Sequence, residues 1–374
     1  MPGYRILSSD SHVVEPPTLW EERIDSEFKD RAPRVVKEDN TDQWYADVDT
    51  KFGMMGIAGQ AGVRFEDPTK ITLEGRFEDL PLGGYNPDAH IKDMELDSVY
   101  GGVMYPTQSF LGYSIPPSDL LSAIFRAYND WLADFCAPYP DRLKGIAALN
   151  VDDVQDGVSE LERAEKMGLV GGLIPVRPLE HPYNHPTFYE PLWEAAERLQ
   201  MPLSLHVGTF RSKSGATGQV ETQVTNVVDF NNRDNYMRDS VAALILGGVF
   251  DRYPDLKVVV AEYEISWAPY FIRRLDDTYT ERPVGLQGYR YKRDVLPSYY
   301  WMNNIMLSFQ SDDLGIQLRH LVGVDNLMWG SDYPHAESTF PKSLEIVEQI
   351  LEGVPDDEQA KIAGGNCARV YRFN

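Results

Sequence analysis

A chain of 374 residues, 43% hydrophobic and 25% charged, has the composition of a folded protein with ample core, enough for one large domain or two ordinary ones. Thirty-five basic side chains against 58 acidic ones leave a formal charge of −23, a field that repels nucleic acid and anionic membrane surfaces and leaves a small molecule as the expected partner. No apolar run approaches a membrane span, MPGYRILSSD lacks the basic start and apolar middle of a secretory signal, and Cys136 and Cys367 are too few for a disulfide framework or a thiolate metal site, so a cytoplasmic location is expected.

In chain order, strand signals fall at YRILSSDSH (4–12), YGGVMYP (100–106), LKGIAALN (143–150), VGGLIPV (170–176), PLSLHVG (202–208), KVVVAEYE (257–264), NIMLSFQ (304–310) and LMWGSDYP (327–334). Helical spacing occupies 118–136 from Ser118, 153–167 up to Gly168, 187–200 from Thr187, 235–253, 265–280, 311–322 and 340–352. Eight strands alternating with helices predict a parallel (β/α)8 TIM barrel, read as a single domain over 1–374. A dinucleotide-binding sheet is disfavoured because no G-x-G-x-x-G follows the first strand.

Three segments exceed a minimal barrel. Residues 17–97, with Trp44 and Tyr45, form a long insertion after the first strand that is expected to cap the barrel mouth. Residues 209–233, containing FRSKSGATGQ, read as a flexible loop, and 281–303, containing RYKRDVLPSYYW, as a second lid or a subunit contact. Arg64, Arg76, Arg177, Arg211 and Lys213 lie in or near segments able to wall a site and to meet an anionic substrate; for any one of them, solvated surface charge is the plainer reading.

The chemistry is carried by strand ends. Asp10 and His12 are two apart in the first strand and share a face; His206 ends the fifth, Glu262 and Glu264 the sixth, and Asp332 the eighth. In a barrel these ends converge on one mouth, where so many acids are costly without a compensating cation. Glu15, on a turn fixed by Pro16 and Pro17, is placed to reach either a metal or a loop amide, and His335 to polarise a substrate oxygen or cap the next helix.

Asp-x-His after the first strand, SLHVG at the fifth and GSDYPH at the eighth resemble the amidohydrolase superfamily, and within it the amidohydrolase-2 branch containing the aminocarboxymuconate-semialdehyde, resorcylate and carboxyvanillate decarboxylases. The resemblance runs from residue 4 to near Tyr371. It implies a metallo-barrel in which Asp10, His12, His206 and Asp332 hold a divalent metal, zinc, manganese or iron, and in which Asp332 also accepts a proton. A homo-oligomer is implied by the resemblance alone. Three departures bear on mechanism. The first strand offers Asp10-x-His12 where many relatives carry His-x-His, which mildly favours a harder metal than zinc. The fourth strand offers Arg177 where some relatives carry a bridging lysine, and the sixth ends in AEYE where many carry a histidine. Glu262 and Glu264, sharing one face of a strand, are candidates to hold a second cation, or alternatively to orient a ligand or meet Arg273 and Arg274.

The expected function is therefore a metal-dependent hydrolase or nonoxidative decarboxylase of a small aromatic or acyl carboxylate-type substrate, with Asp332, His335 and Arg177 as catalytic candidates. The alternative is a nonheme diiron monooxygenase in the same fold, carrying two irons and acting on a larger apolar or tethered acyl substrate. A catalytically silent binding barrel is the third reading, and the retained ring of costly acids argues against it.

Overall fold

Short apolar strands such as VVVA and IMLSF, buried on both faces, are what a parallel barrel wrapped in helices requires. A computed structural model describes residues 3–53, 55–211, 227–282 and 288–374. Its strands are β1 (Leu7–His12), β2 (Arg34–Lys37), β3 (Asp42–Ala46), β4 (Thr50–Phe52), β5 (Gly101–Tyr105), β6 (Leu143–Ala148), β7 (Gly171–Ile174), β8 (Leu203–His206), β9 (Val258–Ala261), β10 (Ile305–Phe309) and β11 (Leu327–Trp329). The eight strands β1, β5, β6, β7, β8, β9, β10 and β11 pair in that order, all parallel, and coincide with the eight sequence signals.

The seam between first and last strands is closed by backbone and hydroxyl groups. The Asp332 N–H donates to the Asp10 carbonyl at 2.7 Å, and the His12 N–H to the Tyr333 carbonyl at 2.7 Å. Ser9 Oγ lies 2.7 Å from Ser308 Oγ and donates to the Trp329 carbonyl at 2.9 Å, while the Ser8, Ser11 and Ser331 hydroxyls bond one another. The SSDS run thus places small hydroxyl side chains where strands must approach closely and every buried polar group needs a partner. Gly330 answers the same need, because a Cβ there would lie 2.7 Å from Asp10 Cβ and 2.8 Å from Ser308 Oγ.

The outer helices follow the apolar spacing. Ser118–Cys136 buries Leu120, Leu121, Ile124, Phe125, Tyr128, Leu132 and Phe135, one stripe at three- and four-residue intervals. Asp153 caps Val154–Lys166 by accepting from the Gln155 and Asp156 N–H groups. Two expected starts differ: Ser118 opens its helix without capping it, and the helix expected from Thr187 begins at Glu190, the Thr187 and Phe188 N–H groups being held by His185 Nδ1. The 235–253 helix breaks at Gly247 and Gly248, with Gly248 at φ +72°.

The 17–97 insertion contains elements that the sequence pattern did not reveal, the antiparallel sheet β2–β3–β4 and the helix Pro87–Leu96 capped by Asn86. Trp44 packs edge-on against Trp20, whose indole N–H donates to the Ile124 carbonyl, so the insertion shares the barrel's core. It also reaches the mouth, since the Ala61 N–H donates to the Pro334 carbonyl and the Ala336 N–H to the Ile57 carbonyl. Of the 209–233 loop, residues 212–226 with Lys213 lie outside the described residues; a short helix, Val227–Asn231, follows. The described part of 281–303 braces the outer helices and does not wall the mouth: Tyr289 Oη bonds Asp251, and Tyr291 Oη donates to the Ile245 carbonyl. Among the described residues, no helix is long and apolar enough to cross a membrane.

Candidate metal centre

Asp10 and His12 lie on β1, His206 ends β8, Glu262 follows β9 and Asp332 follows β11. All are buried or nearly so. Asp332 and Glu262 adopt left-handed backbone, φ +57° and +63°, a conformation that costs a non-glycine residue about 1 kcal/mol or more and clusters at functional sites. One atom from each of Asp10, His12, His206 and Glu262 lies within 4.8 Å of the others, and His12, Asp332 and His335 form a second such group sharing His12.

The hydrogen-bond chemistry tests whether a metal fits. His12 Nδ1 donates to the Pro106 carbonyl at 2.7 Å and His206 Nδ1 to the Val207 carbonyl at 2.9 Å. A carbonyl only accepts, so both neutral rings carry hydrogen on Nδ1 and turn the Nε2 lone pair inward. There His12 Nε2 meets Asp332 Oδ1 at 3.2 Å and Asp10 Oδ1 at 3.4 Å, and His206 Nε2 meets Asp10 Oδ1 at 3.3 Å and Glu262 Oε2 at 3.6 Å. His12 Nε2 and Asp332 Oδ1 are buried without a hydrogen-bond partner. Lone pairs facing carboxylate oxygens repel unless a cation lies between them, and imidazoles anchored by carbonyls on the far nitrogen are the usual metal-binding arrangement. The donor set fits a divalent cation.

The electrostatics arise from the same packing. Burial alone would raise Asp10 and Asp332; with no cation bound, positive charge on the neighbouring rings takes its place, His206 and His12 holding Asp10 below its ordinary value and His335 and His12 holding Asp332 far below it. Burial, and then Asp332, push Glu262 well upward despite Arg233. Arg233 Nη1 lies 3.6 Å from Glu262 Oε1, so that carboxylate spans the gap between the cluster and a guanidinium.

The loop after β5 surrounds the centre and carries residues that sequence reading missed. Thr107 Oγ1 lies 2.9 Å from His335 Nε2, and Phe110 stacks on His206 at 5.5 Å. The YPTQSF stretch has neither charge nor histidine, so only the convergence of strand ends, which makes every loop on that face a candidate, pointed to it. His335 lies against the cluster, its Nδ1 2.9 Å from Asp332 Oδ1 and its ring stacked 3.9 Å from that of His12.

Other candidates are drawn elsewhere. Glu15 does not face the cluster; it accepts the N–H groups of Thr107, Gln108 and Ser109 at 3.3, 2.8 and 2.8 Å. Glu262 and Glu264 do not share the face of a strand, because β9 stops at Ala261 and both residues turn left-handed. Glu264 accepts from the Gln310 and Ser311 N–H groups instead. Arg177 is exposed and bonded to Tyr236, Arg76 pairs with Asp42, and Arg211 is buried on Asp152 and three carbonyls. Arg64 is half-buried, with an unpartnered Nε, in the field of Asp332, Glu337 and Glu264. His90, His181, His185 and His320 lie outside both metal-ligating groups.

The amidohydrolase family model matches residues 117–373, more than half of the chain. The chain belongs to the amidohydrolase family. This amidohydrolase is 23% identical over 306 residues to 2-amino-3-carboxymuconate-6-semialdehyde decarboxylase of Dictyostelium discoideum, with 80% of each chain covered. Its fold is similar to that of an amidohydrolase from Mycobacterium avium subsp. paratuberculosis, with TM-score 0.78, 22% identity, 99% of this chain and 100% of that one. It is also similar to 5-carboxyvanillate decarboxylase of Novosphingobium aromaticivorans complexed with manganese and 4-hydroxy-3-methoxy-5-nitrobenzoic acid, with TM-score 0.67, 18% identity, 99% of this chain and 96% of that one. The amidohydrolase is accordingly an enzyme, and nothing in these relatives or in the placement of Glu264 supports the diiron monooxygenase alternative. The family match begins after β1, so Asp10 and His12 rest on the geometry of the cluster itself.

Proposed function

We propose that this amidohydrolase is a nonoxidative decarboxylase of a small aromatic carboxylic acid, working with one divalent cation held by Asp10, His12, His206 and Asp332. The observation that carries the reading is the inward convergence of two Nε2 lone pairs on two carboxylates, with both Nδ1 atoms already spent on carbonyls. Two imidazoles and two carboxylates are a comparatively hard set that suits manganese as well as zinc. Bound there, the cation supplies positive charge to hold a substrate carboxylate and neighbouring hydroxyl and to stabilise charge developing on the ring.

The chain's own groups divide the remaining work. Phe110, stacked beside His206 and only partly buried, offers an aromatic face to a planar ring. In this reading Arg64, which lies in the field of Asp332 and has an unpartnered Nε, pairs with the acid's negative charge. Loss of carbon dioxide leaves a carbon that must be protonated, and Glu262, held toward its protonated form beside the cluster, carries that proton.

The test is carbon dioxide release from a panel of hydroxylated benzoic acids, assayed anaerobically with manganese- and zinc-loaded protein. His206→Ala should abolish both metal retention and turnover. Full activity in that variant, or release that requires oxygen, overturns the reading.

A further inference from the structure

Val13 O accepts the Thr107 hydroxyl hydrogen at 2.7 Å, and a carbonyl has no hydrogen to return. The Thr107 oxygen is therefore left as an acceptor toward His335 Nε2, 2.9 Å away. His335 must carry a hydrogen on Nε2, so the neutral ring turns its Nδ1 lone pair to Asp332 Oδ1, 2.9 Å away, a contact that, like that of His12 Nε2, needs a cation beside it. We propose that Thr107 is a positioning residue that decides which nitrogen of His335 carries the hydrogen, and so keeps the nitrogen facing the metal-ligating cluster unprotonated.

The surroundings make the assignment rigid. Thr107 is 3% exposed, and its backbone N–H, with those of Gln108 and Ser109, is held by the fully buried Glu15 carboxylate. The residue before it, Pro106, takes the Nδ1 hydrogen of His12. One short loop thus orients two stacked imidazoles, His12 through a carbonyl and His335 through a hydroxyl, and Glu15 holds that loop in register. Glu15 acts at one remove from the centre, with three amides between it and the rings. An isosteric valine at 107 would keep the packing, remove the acceptor and leave His335 free to carry its hydrogen on either nitrogen.

The inference rests on the proposed metal site, and its test has a readout that does not need turnover. Zinc-loaded protein with nitrogen-15 in its histidine rings is compared as wild type, Thr107→Val and Thr107→Ser, the His335 signals being identified by their loss in His335→Gln. The expected result is a protonated, slowly exchanging Nε2 in wild type and in Thr107→Ser, and its loss in Thr107→Val with metal content unchanged. In a turnover assay Thr107→Val should lower kcat about tenfold with KM unchanged, and Thr107→Ser should recover it, in line with the usual effect of removing a partner of this kind. Unchanged His335 signals in Thr107→Val overturn the proposal. Should the valine variant fail to fold, Thr107→Ala supplies the same comparison. A wild type that releases no carbon dioxide overturns the decarboxylase reading alone, since the ring signals still decide the role of Thr107.

Discussion

At the scale of single residues, the site is organised by what each polar atom has already bonded. Arg211 and Arg76 are spent on carboxylates, whereas the Arg64 Nε is buried without a partner near Asp332 and Glu337. Arg64→Gln should therefore raise KM for an aromatic acid about tenfold or more while changing kcat little, as steady-state kinetics would show; an equal loss in kcat alone would place Arg64 elsewhere in the reaction. His90 makes a different prediction. Burial lowers its pKa from 6.5 to about 4, with Nδ1 bonded to the Gly83 carbonyl and Nε2 unpartnered. The unfolded chain takes up a proton at His90 below pH 6.5 that the folded chain refuses until about 4. Its contribution is fully present above pH 6.5 and is lost as pH falls toward 4, a change of about 3 kcal/mol. Urea unfolding of wild type and His90→Gln should show their stability difference shifting by that amount across this window.

At the scale of elements, the strands were legible because burial on both faces leaves continuous apolar runs, and the strand ends were legible because polar residues interrupt them. The turns beyond those ends were not legible. The alternation that put Glu262 and Glu264 on one face holds only while the backbone stays extended, and here it turns left-handed at both residues, sending Glu262 to His206 and Glu264 to the loop after β10. For Glu15 the sequence left a metal and a loop amide open, because a carboxylate near a metal site and one clamping a loop have the same spacing in sequence; the fold brings it the amides of residues 107–109. Thr107 was illegible because a hydroxyl gains its role from a partner 228 positions away. The seam offers a test at this scale. Gly330→Ala must displace Asp10 or Ser308, and overpacking of this kind costs about 1–3 kcal/mol. Metal affinity should fall with stability in that variant, as titration of the metal-free protein would show; a loss of stability with unaltered affinity would detach Gly330 from the site.

At the scale of the whole molecule, eight strands bring together groups that the chain scatters, and the cation lowers the cost of their crowding. Removing it leaves two lone pairs and several acids in mutual repulsion. Chelation should reduce the unfolding free energy by about 3 kcal/mol relative to protein held at a hundredfold excess over the metal's dissociation constant, read as a shift in the denaturant midpoint. The absence of any such shift would argue against a resident metal.

The serine seam also bears on what completes the ligand set. Ser8 and Ser331 touch across 323 positions, and Asp10 and His12 stand on one side of that contact with Asp332 on the other. If these three residues hold the metal, as proposed, a chain that stops short of Asp332 lacks part of the ligand set. Tight metal binding would then report that the last strand has paired with the first and that the barrel has shut.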